Sequence, residues 1–510
     1  MLKKFTPVFK ISAGIISVIV IIGVIWPKGL ETATTDIQAF ISNKLGWYYL
    51  IVVTLFVLVC LVFLISPLGR IKLGKPDEKP EFTRPTWIAM LFSAGMGIGL
   101  VFWGTAEPIS HYALSSPTGE TGTEQAIKDA MRFTFFHWGI HAWAIYGIVA
   151  LVLAYFNFRH DRKGLISATL HPIIGKKAAE GNLGKFIDIL AVIATVIGVA
   201  TTLGFGAVQI NGGLSYLFGI PTNIIIQFII IAVVTVLFMI SAWSGLDKGI
   251  KILSNANMII AVLLFGFIFI LGPTIFQLNL FTNSIGTYLQ NLPAMSFRIA
   301  PLNEEARTWI NGWTVFYWAW WIAWSPFVGI FIARVSRGRS IREFVFTVLI
   351  LPSVIGFLWF AAFGGTAISL EHNGIDTIST LATEESLFGV LSNYPLSMVA
   401  SLIAITLIGT FFITSADSGT YVLGMMTTDG SQHPGAAIKL TWGCLLSAIA
   451  LALLYTGGLQ ALENTMIIAA LPFSVIMLLM AISFIKAIYE EGEKLGVGRF
   501  HPPKKKSEKG

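Results

Sequence analysis

Residues 309–334 read WINGWTVFYWAWWIAWSPFVGIFIAR, an apolar stretch with no charged residue before Arg334. About 20 apolar residues suffice for a helix to cross the roughly 30 Å hydrocarbon core of a bilayer. The stretch therefore predicts a membrane-spanning helix. It is also unusual, because five of the chain's 15 tryptophans lie between positions 313 and 324.

The rest of the chain has the same apolar character. Of its 510 residues, 55% are hydrophobic and only 12% are charged, whereas soluble proteins have roughly 25% charged residues. One soluble core could not bury so much apolar surface, and low hydropathy, the signature of disorder, is absent. With only two cysteines, Cys60 and Cys444, a disulfide framework is excluded. We predict an all-α polytopic membrane protein.

About twelve apolar stretches predict about twelve transmembrane helices. The first follows Lys3 and Lys4, as in a signal peptide, but it lacks a small-residue cleavage site and is interpreted as a retained helix. The predicted spans lie near 9–26, 47–66, 86–106, 132–156, 187–217, 222–243, 252–274, 309–334, 343–366, 395–424, 436–456 and 464–487.

Loop charges predict the orientation of these spans. With the N-terminus inside, 28 of the 34 Lys and Arg residues fall on the cytoplasmic side and 6 outside. Cytoplasmic loops are enriched in Lys and Arg, so both termini are predicted to be cytoplasmic. The formal charge of +7 is explained by membrane insertion and gives no reason to expect nucleic-acid binding. The short basic tail, 488–510, fits either a solvated segment or contact with anionic lipid.

Missing motifs narrow the function. No G-x-x-x-x-G-K-[ST] phosphate loop is present, which argues against ATP-driven pumping by this chain alone. No Arg-rich voltage sensor or channel filter appears. His137 and His141 share a helical face, but as metal ligands they would need further partners, so hydrogen-bonded histidines are the simpler interpretation. Ion-coupled transport becomes the leading class. A membrane enzyme and a non-transporting ligand sensor are the alternatives.

The third span crowds glycines into one helix, with residues 93–104 reading SAGMGIGLVFWG. Glycine in a helix costs about 1 kcal/mol relative to alanine. Two uses would justify that cost. The backbone could unwind and offer its polar groups to a ligand, as in transporters with broken helices. Alternatively, small residues could let another helix approach closely.

Aromatic side chains mark the fourth and eighth spans. On a continuous helix Trp138, Trp143 and Tyr146 fit within an arc of about 140°. In the eighth span one narrow stripe has the spacing i, i+4, i+7 and i+11, and it consists of Trp313, Tyr317, Trp320 and Trp324. An interfacial aromatic belt does not explain its deeper members, which lie up to roughly 23 Å along the helix from Trp309. Pro326 frees a backbone carbonyl and predicts a kink or break.

Clustered indoles at mid-membrane are typical of a quaternary ammonium site. Such a cation cannot donate a hydrogen bond, and ring faces attract it with about 2 kcal/mol or more per desolvated contact. We predict no carboxylate beside the rings in these three helices. That favours a zwitterion, whose own carboxylate balances the charge and is received by unwound backbone N–H groups.

Hydroxyl groups near the end of the tenth span indicate a cation site. Thr414 and Ser415 lie in the sequence FFITSADSG, residues 411–419. Oxygen ligands suit Na⁺ as they suit other hard cations. The alternative is that these hydroxyls bond back to their own helix.

Five motifs together resemble the betaine/carnitine/choline transporter family, and they are most similar to its sodium-coupled glycine betaine members. The motifs are MGIGL (96–100), HWGIHAWAIY (137–146), WTVFYWAWW (313–321), ARVSRGRSIREF (333–344) and FFITSADSG (411–419). The resemblance covers about residues 8–490. It implies a homotrimer in a bacterial cell membrane and a LeuT-like core of two inverted five-helix repeats.

The implied division of the chain has five parts. They are two helices and a cytoplasmic loop (1–84), the first repeat with spans three to seven (85–275), an outer amphipathic connector (276–308), the second repeat with spans eight to twelve (309–487) and the basic tail (488–510).

The resemblance also implies the site residues. The substrate side chains would be Trp138, Trp143, Tyr146 and Trp321, with Trp320 alongside and Trp318 and Trp324 lining the route. The backbone of Gly95, Gly97 and Gly99 would meet the substrate carboxylate. One sodium ion would lie among Ser93, Met96, Phe411, Thr414 and Ser415. A further sodium site would involve Thr195, Phe327, Ser254 and Asn257.

Two positions bear on the substrate. Sodium-independent exchangers similar to this family carry Arg where this chain has Asn257, and choline-preferring relatives tend to carry Asp where it has Gly99. The resemblance therefore implies import of glycine betaine, a compatible solute, by Na⁺ symport with alternating access and without a cofactor. Transport of carnitine, proline betaine or choline, and substrate/product exchange, are the alternatives.

Overall fold

The computed structural model describes residues 5–95, 97–244, 247–375 and 377–496, and helices dominate these ranges. No strand forms there, only an isolated antiparallel bridge between Lys72 and Ser340. The helices used below are α1 (Pro7–Ile25), α2 (Pro27–Ile65), α3 (Arg84–Gly95), α4 (Ile98–Ile109), α5 (Glu124–Trp138), α6 (Ile140–Ala154), α7 (Asn182–Phe218), α8 (Ile224–Ser244), α9 (Asp247–Leu271), α10 (Thr274–Ser296), α11 (Glu304–Ile310), α12 (Phe316–Val335), α13 (Ile341–His372), α14 (Ser397–Met426) and α15 (Ala436–Leu495).

These helices confirm the predicted fold class. In the described ranges, ten helical segments are long and apolar enough to cross a membrane. The last of them, α15, covers two predicted spans, because Gly457 and Gly458 interrupt it with non-helical backbone. The predicted third span is a pair of 12-residue helices, α3 and α4. Each of the twelve predicted spans therefore has a helical counterpart. The inverted repeat remains a prediction.

Two glycines interrupt predicted spans, so that each of these two spans consists of a pair of helices. Gly97 precedes α4 with extended backbone, φ −162° and ψ −170°, so the predicted unwinding of the third span is confirmed. Gly139 separates α5 from α6 with φ −95° and ψ −142°, although the fourth span was predicted to be one continuous helix. That prediction was wrong because of tertiary packing. A Cβ atom at Gly139 would lie 2.7 Å from the ring of Phe357 and 2.9 Å from the hydroxyl of Tyr288.

Pro326 allows a kink or a break in the eighth span, and the structure shows no break there. Pro326 lies inside α12, which continues to Val335 without a break. Proline removes the N–H that would bond to the carbonyl four residues earlier. That carbonyl belongs to Ile322, and the hydroxyl of Ser325 donates to it at 2.7 Å. The neighbouring serine therefore satisfies the acceptor that the proline leaves without a partner.

The predicted amphipathic connector forms α10, which packs against α5 and α13. Its buried stripe has the helical spacing of three and four residues and includes Gln277, Leu280, Ser284 and Tyr288. The hydroxyl of Tyr288 accepts a hydrogen bond from the backbone N–H of Ile140 at 3.1 Å, directly after the break at Gly139. The connector therefore stabilises the broken fourth span.

Loops that were predicted to share a side of the membrane contact one another. Side chains of the predicted cytoplasmic loops form the ion pairs Lys75–Asp161 (2.5 Å), Arg84–Glu343 (2.8 Å) and Lys163–Asp429 (2.6 Å). The hydrogen bond from Lys75 and its charge lower the pKa of the Asp161 carboxyl. On the predicted outer side, Arg307 donates to the backbone carbonyl of Asn43 at 2.8 Å. The sequence-based partition of loops therefore matches the two ends of the bundle.

Candidate functional site

Three of the predicted aromatic rings lie around the ring of Trp321. Their centroids lie 5.3 Å from it for Trp138, 6.3 Å for Trp143 and 5.0 Å for Tyr146. We call these four rings the aromatic box. Trp320 lies beside it, 6.0 Å from Trp138. The break at Gly139 does not prevent this convergence, because Trp138 ends α5 while Trp143 and Tyr146 lie on α6.

The rings of the box face the interior of the bundle. Their residues retain small exposed fractions of 5% for Trp138, 4% for Trp143, 4% for Tyr146 and 6% for Trp321, whereas Tyr317, at 0%, is packed on all sides. These values place all four residues of the box in the interior of the bundle, with only slight accessible surface. Indoles oriented toward lipid would show far larger exposed fractions.

The indole N–H groups of this region are held by the protein. Four of them donate to acceptors on other helices: Trp138 to Glu107 Oε2 (2.8 Å), Trp320 to Thr202 Oγ1 (3.2 Å), Trp321 to the carbonyl of His137 (3.0 Å) and Trp324 to the carbonyl of Gly198 (2.8 Å). The ring edges are thereby fixed, and the ring faces are the surfaces left to contact a ligand. Thr202 and Gly198 were not predicted, since nothing in the sequence pairs them with these tryptophans.

A buried carboxylate corrects one prediction. We predicted no carboxylate beside the rings, but Glu107 on α4 is completely buried and accepts hydrogen bonds from Trp138 and, at 2.5 Å, from the hydroxyl of Tyr317. The error arose at the end of the third span. Hydropathy ended it at residue 106, whereas α4 continues through Pro108 to Ile109. The only sequence feature that could have indicated Glu107 was its position directly after the predicted span.

Histidines complete the surroundings of Glu107. Oε1 of Glu107 lies 2.7 Å from Nδ1 of His137 and 3.3 Å from Nε2 of His111. The three groups could each offer a ligand atom to a metal, since those atoms lie within 4.8 Å of one another. Their separations are those of hydrogen bonds, however, and Nε2 of His137 is also bonded to Thr314 at 3.0 Å. His141 bonds to Ser296 at 2.9 Å. Both histidines singled out in the sequence are therefore hydrogen-bonded, as the simpler interpretation predicted.

Two of the predicted route residues lie beside other partners. The ring contacts of Trp318 within the described ranges are with Phe136, His137 and His141, and its ring lies parallel to that of His141 at 5.5 Å. Trp324 contacts Phe327 at 5.2 Å. Trp318 is thus a packing residue on the flank of the box in this structure.

The glycines of the third span have different surroundings. A Cβ atom at Gly99 would lie 2.4 Å from the ring of Trp320, so the close approach requires glycine. A Cβ atom at Gly97 would meet no atom of the described residues within 4 Å. Both predicted uses of glycine are therefore present, close packing at Gly99 and unwinding beside open space at Gly97. Gly95 ends α3, while Met96 and the side chain of Ser93 lie outside the described residues.

Residues assigned to two different sodium sites meet beside α14. The hydroxyl of Thr414 donates to the carbonyls of Thr410 (3.0 Å) and Phe411 (3.2 Å), and it accepts from Nδ2 of Asn257 at 3.1 Å. Oδ1 of Asn257 is buried and has no hydrogen-bond partner within the described part of the chain. An unsatisfied buried oxygen is a ligand that a hard cation could use.

The other sodium candidates show weaker signals. The hydroxyl of Thr195 donates to the carbonyl of Ala191 at 2.8 Å, which is ordinary bonding to its own helix. Phe327 packs on Trp324, and Ser254 and Ser415 are half-buried. No described contact brings these four residues together.

A cavity of about 270 Å³ lies next to the box on the predicted outer side. Its lining includes Trp103, Trp313, Phe316 and Glu463, together with loop residues between 378 and 386. Phe316 is shared between the cavity and the box region, since its ring lies 5.9 Å from that of Trp320. Packed aromatic rings therefore separate the outer cavity from the box.

Comparison with known proteins agrees with this geometry. Residues 7–493 match the sequence model of the BCCT, betaine/carnitine/choline family transporter. The chain is 59% identical over 495 residues to the "Glycine betaine transporter OpuD" of Bacillus subtilis (strain 168), covering 97% of this chain and 96% of that protein. It is 46% identical over 492 residues to the "Ectoine/hydroxyectoine transporter" of Virgibacillus pantothenticus, covering 96% and 97%. It is 44% identical over 492 residues to the "Probable glycine betaine transporter" of Desulfitobacterium hafniense (strain Y51), covering 95% and 98%.

A family match over nearly the whole chain, on a bundle of long apolar helices that encloses an aromatic box, leaves one conclusion: the protein belongs to the betaine/carnitine/choline transporter family and is a multi-pass membrane transporter rather than an enzyme.

Proposed function

We propose that this protein imports glycine betaine across the bacterial cell membrane by Na⁺ symport with alternating access. The observation that carries the proposal is the way in which the indoles are held. Trp138 and Trp321 donate their N–H groups to protein acceptors, and both side chains are buried within the bundle. A trimethylammonium group cannot donate a hydrogen bond and is attracted to ring faces, so it matches such a site.

The unwound segment before α4 is the proposed site for the substrate carboxylate. The first N–H groups of a helix have no partner within that helix, and the helix dipole favours an anion there. Gly97 borders open space directly before α4. A zwitterion could thus place its ammonium group in the box and its carboxylate at the helix start.

The presence of Glu107 removes one reason to favour a zwitterion, because that reason was the predicted absence of a carboxylate beside the rings. Both oxygens of Glu107 accept hydrogen bonds from protein groups, so this carboxylate does not enter the box and does not by itself distinguish a zwitterion from a choline-like cation. Gly99, which packs on Trp320, likewise brings no charged group into the box. The names of two similar proteins, which include glycine betaine, point to the same substrate.

Sodium coupling is proposed from the contact between α9 and α14. Oδ1 of Asn257, which has no partner among the described residues, is an uncharged oxygen that a small hard cation could use, and the same side chain donates to the hydroxyl of Thr414. The aromatic-lined outer cavity supports entry of the substrate from outside. The homotrimer implied by the family resemblance is part of the same proposal, and native mass spectrometry of the purified protein should show three copies of the chain.

Uptake of radiolabelled glycine betaine into proteoliposomes tests the proposal. We expect accumulation when an inward Na⁺ gradient is imposed and none with an equal K⁺ gradient. Thr414→Ala should raise the Na⁺ concentration needed for half-maximal uptake. Thr406→Ala is the matched control, because this threonine on the same helix is exposed and the one described hydrogen bond of its hydroxyl goes to the carbonyl of Leu402. Uptake that ignores the Na⁺ gradient would overturn symport while leaving betaine transport intact.

A competition panel separates the other substrates. Glycine betaine, proline betaine, carnitine, choline and ectoine should be compared as inhibitors of betaine uptake at fixed Na⁺. Ectoine is included because a protein 46% identical to this chain carries it in its name. Strongest inhibition by choline or ectoine would contradict the proposed substrate. Uptake that depends on preloaded substrate rather than Na⁺ would instead indicate exchange.

A further inference from the structure

Glu107 is an enclosed carboxylate that the proposed transport cycle does not yet use. It is 0% exposed, and four groups meet its two oxygens. Oε2 accepts from Trp138 (2.8 Å) and Tyr317 (2.5 Å), and Oε1 lies near His137 (2.7 Å) and His111 (3.3 Å). Indole N–H can only donate, and an ionised carboxylate accepts about four hydrogen bonds. The arrangement therefore fits an anion, and most of the distances are those of charge-assisted bonds.

The two histidines beside Glu107 need no positive charge. Nε2 of His137 meets the hydroxyl of Thr314, which can donate to it, so a neutral imidazole satisfies both contacts. Nδ1 of His111 is buried without a partner, and an N–H left unpaired there would be costly. Neutral histidines that donate to Glu107 therefore satisfy the network, and the negative charge of Glu107 is not cancelled by them.

Trp138 connects that charge to the aromatic box. Its indole N–H is bonded to Glu107, and its ring stands nearly perpendicular to that of Trp321, at 87° and 5.3 Å. The hydrogen bond from Trp138 to Glu107 therefore fixes the plane of one ring of the aromatic box. An N–H that donates to an anion also leaves more electron density on the ring, and the attraction of a cation to a ring depends on that density. In a low-dielectric interior, the negative charge of Glu107, at the N–H edge of Trp138, still attracts a cation inside the box.

We propose that Glu107 is a positioning residue that gives the aromatic box its preference for a positively charged group. It orients Trp138 through the indole N–H and supplies, through that ring, negative potential to a methylated ammonium ion. This inference rests on the proposed function, because it assumes that the ammonium group lies in the box. It adds a determinant of specificity that lies behind the ring and does not touch the substrate.

A neutral isostere isolates the charge. In 3,3-dimethylbutanoate a carbon atom replaces the nitrogen of glycine betaine, so shape and carboxylate are kept while the positive charge is lost. The ratio of the two dissociation constants therefore measures what the charge contributes. A residue that only supports the fold would weaken both ligands alike, whereas Glu107 should affect mainly the charged one.

The experiment measures both dissociation constants on the purified full-length protein at saturating Na⁺. Glu107→Gln keeps an oxygen that can accept from Trp138 but removes the negative charge. We expect it to weaken glycine betaine about tenfold and 3,3-dimethylbutanoate less than about twofold. Asp188→Asn is the matched control, since this buried carboxylate accepts from the backbone N–H (2.9 Å) and hydroxyl (2.7 Å) of Ser167, away from the box. It should leave the ratio unchanged.

A second pair of variants applies if Glu107→Gln does not fold. Trp138→Phe cuts the link to Glu107 and should lower the preference for glycine betaine more than Trp143→Phe does, although both exchange an indole for a phenyl ring. The inference would be overturned if Glu107→Gln weakened both ligands equally, so that the ratio of their dissociation constants stayed unchanged. Equal effects of the two phenylalanine variants would also overturn it. Wild-type protein that fails to bind glycine betaine would instead overturn the proposed function, before any substitution is made.

Discussion

Trp321 is the residue on which the aromatic box depends most, because its ring contacts those of Trp138, Trp143 and Tyr146. We predict that Trp321→Ala weakens glycine betaine binding by about 30-fold, since a desolvated cation–π contact contributes about 2 kcal/mol. Trp321→Phe should lose less. Titration of the purified variants by calorimetry measures both effects.

Trp442→Phe controls for the loss of a buried indole elsewhere. This tryptophan donates to the hydroxyl of Thr427 at 3.1 Å and lies on α15 outside the box. Its replacement should lower the melting temperature without changing the affinity for betaine. Wild-type affinity in Trp321→Ala would show that this ring serves packing alone.

At the residue scale, the sequence predicted the box side chains but not what holds them. Clustered aromatic residues marked the fourth and eighth spans, and the family resemblance implied the particular set Trp138, Trp143, Tyr146 and Trp321. Glu107 and Thr202, which bond to Trp138 and Trp320, come from other helices. Such contacts depend on tertiary packing, and the sequence pattern does not show which helices will contact one another.

The broken third span makes a prediction about two neighbouring glycines. Gly99→Ala should destabilise the protein, because its Cβ atom would lie 2.4 Å from the ring of Trp320. Gly97→Ala has room for the methyl group and should melt like wild type, yet it should weaken betaine binding if the carboxylate occupies that space. Thermal melting and ligand titration of both variants distinguish these effects. Normal binding in Gly97→Ala would argue against the carboxylate site.

A serine–proline pair in α12 permits a double-mutant test of the unbroken helix. Ser325→Ala should destabilise the protein by about 1–3 kcal/mol, because the carbonyl of Ile322 would then be buried without a partner. Adding Pro326→Ala restores the backbone N–H and should recover part of that loss. Melting temperatures of the single and double variants supply the measurement. Additive losses would mean that Ser325 does not compensate for the proline.

At the element scale, apolar length predicted where helices cross the membrane but not where each one breaks. The break at Gly97 was foreseen from three alternating glycines in one span. The break at Gly139 lies where the ring of Phe357 and the hydroxyl of Tyr288, from distant parts of the chain, leave no room for a side chain. A single glycine in a helical pattern carries too little information to predict it.

The whole molecule has two ends, and their sides of the membrane can be tested by labelling. After replacement of Cys60 and Cys444 by serine, Gln432→Cys should react with a membrane-impermeant maleimide only in opened cells. Glu120→Cys should react in intact cells. Both native residues are exposed in the structure and lie at opposite predicted ends. The reversed pattern of labelling would place both termini outside, contrary to the charge distribution.

At the scale of the molecule, the alternation of predicted spans grouped the loops correctly, whereas the charge count predicts which group is cytoplasmic. The ion pairs Lys163–Asp429 and Arg84–Glu343 join loops that this alternation placed on one side. The sequence did not reveal the outer cavity, whose lining combines Trp103 with Glu463 from the far end of the chain. A cavity results from the imperfect fit between packed helices, and only the assembled bundle shows it.

The central claim is that the aromatic box encloses a methylated ammonium group, and a structure determined with glycine betaine and Na⁺ bound tests it most directly. The account predicts the ammonium nitrogen within about 6 Å of the ring centroids of Trp138, Tyr146 and Trp321, with the carboxylate directed toward Gly97. Betaine bound elsewhere, with the four rings still packed against one another around an empty space, would contradict it.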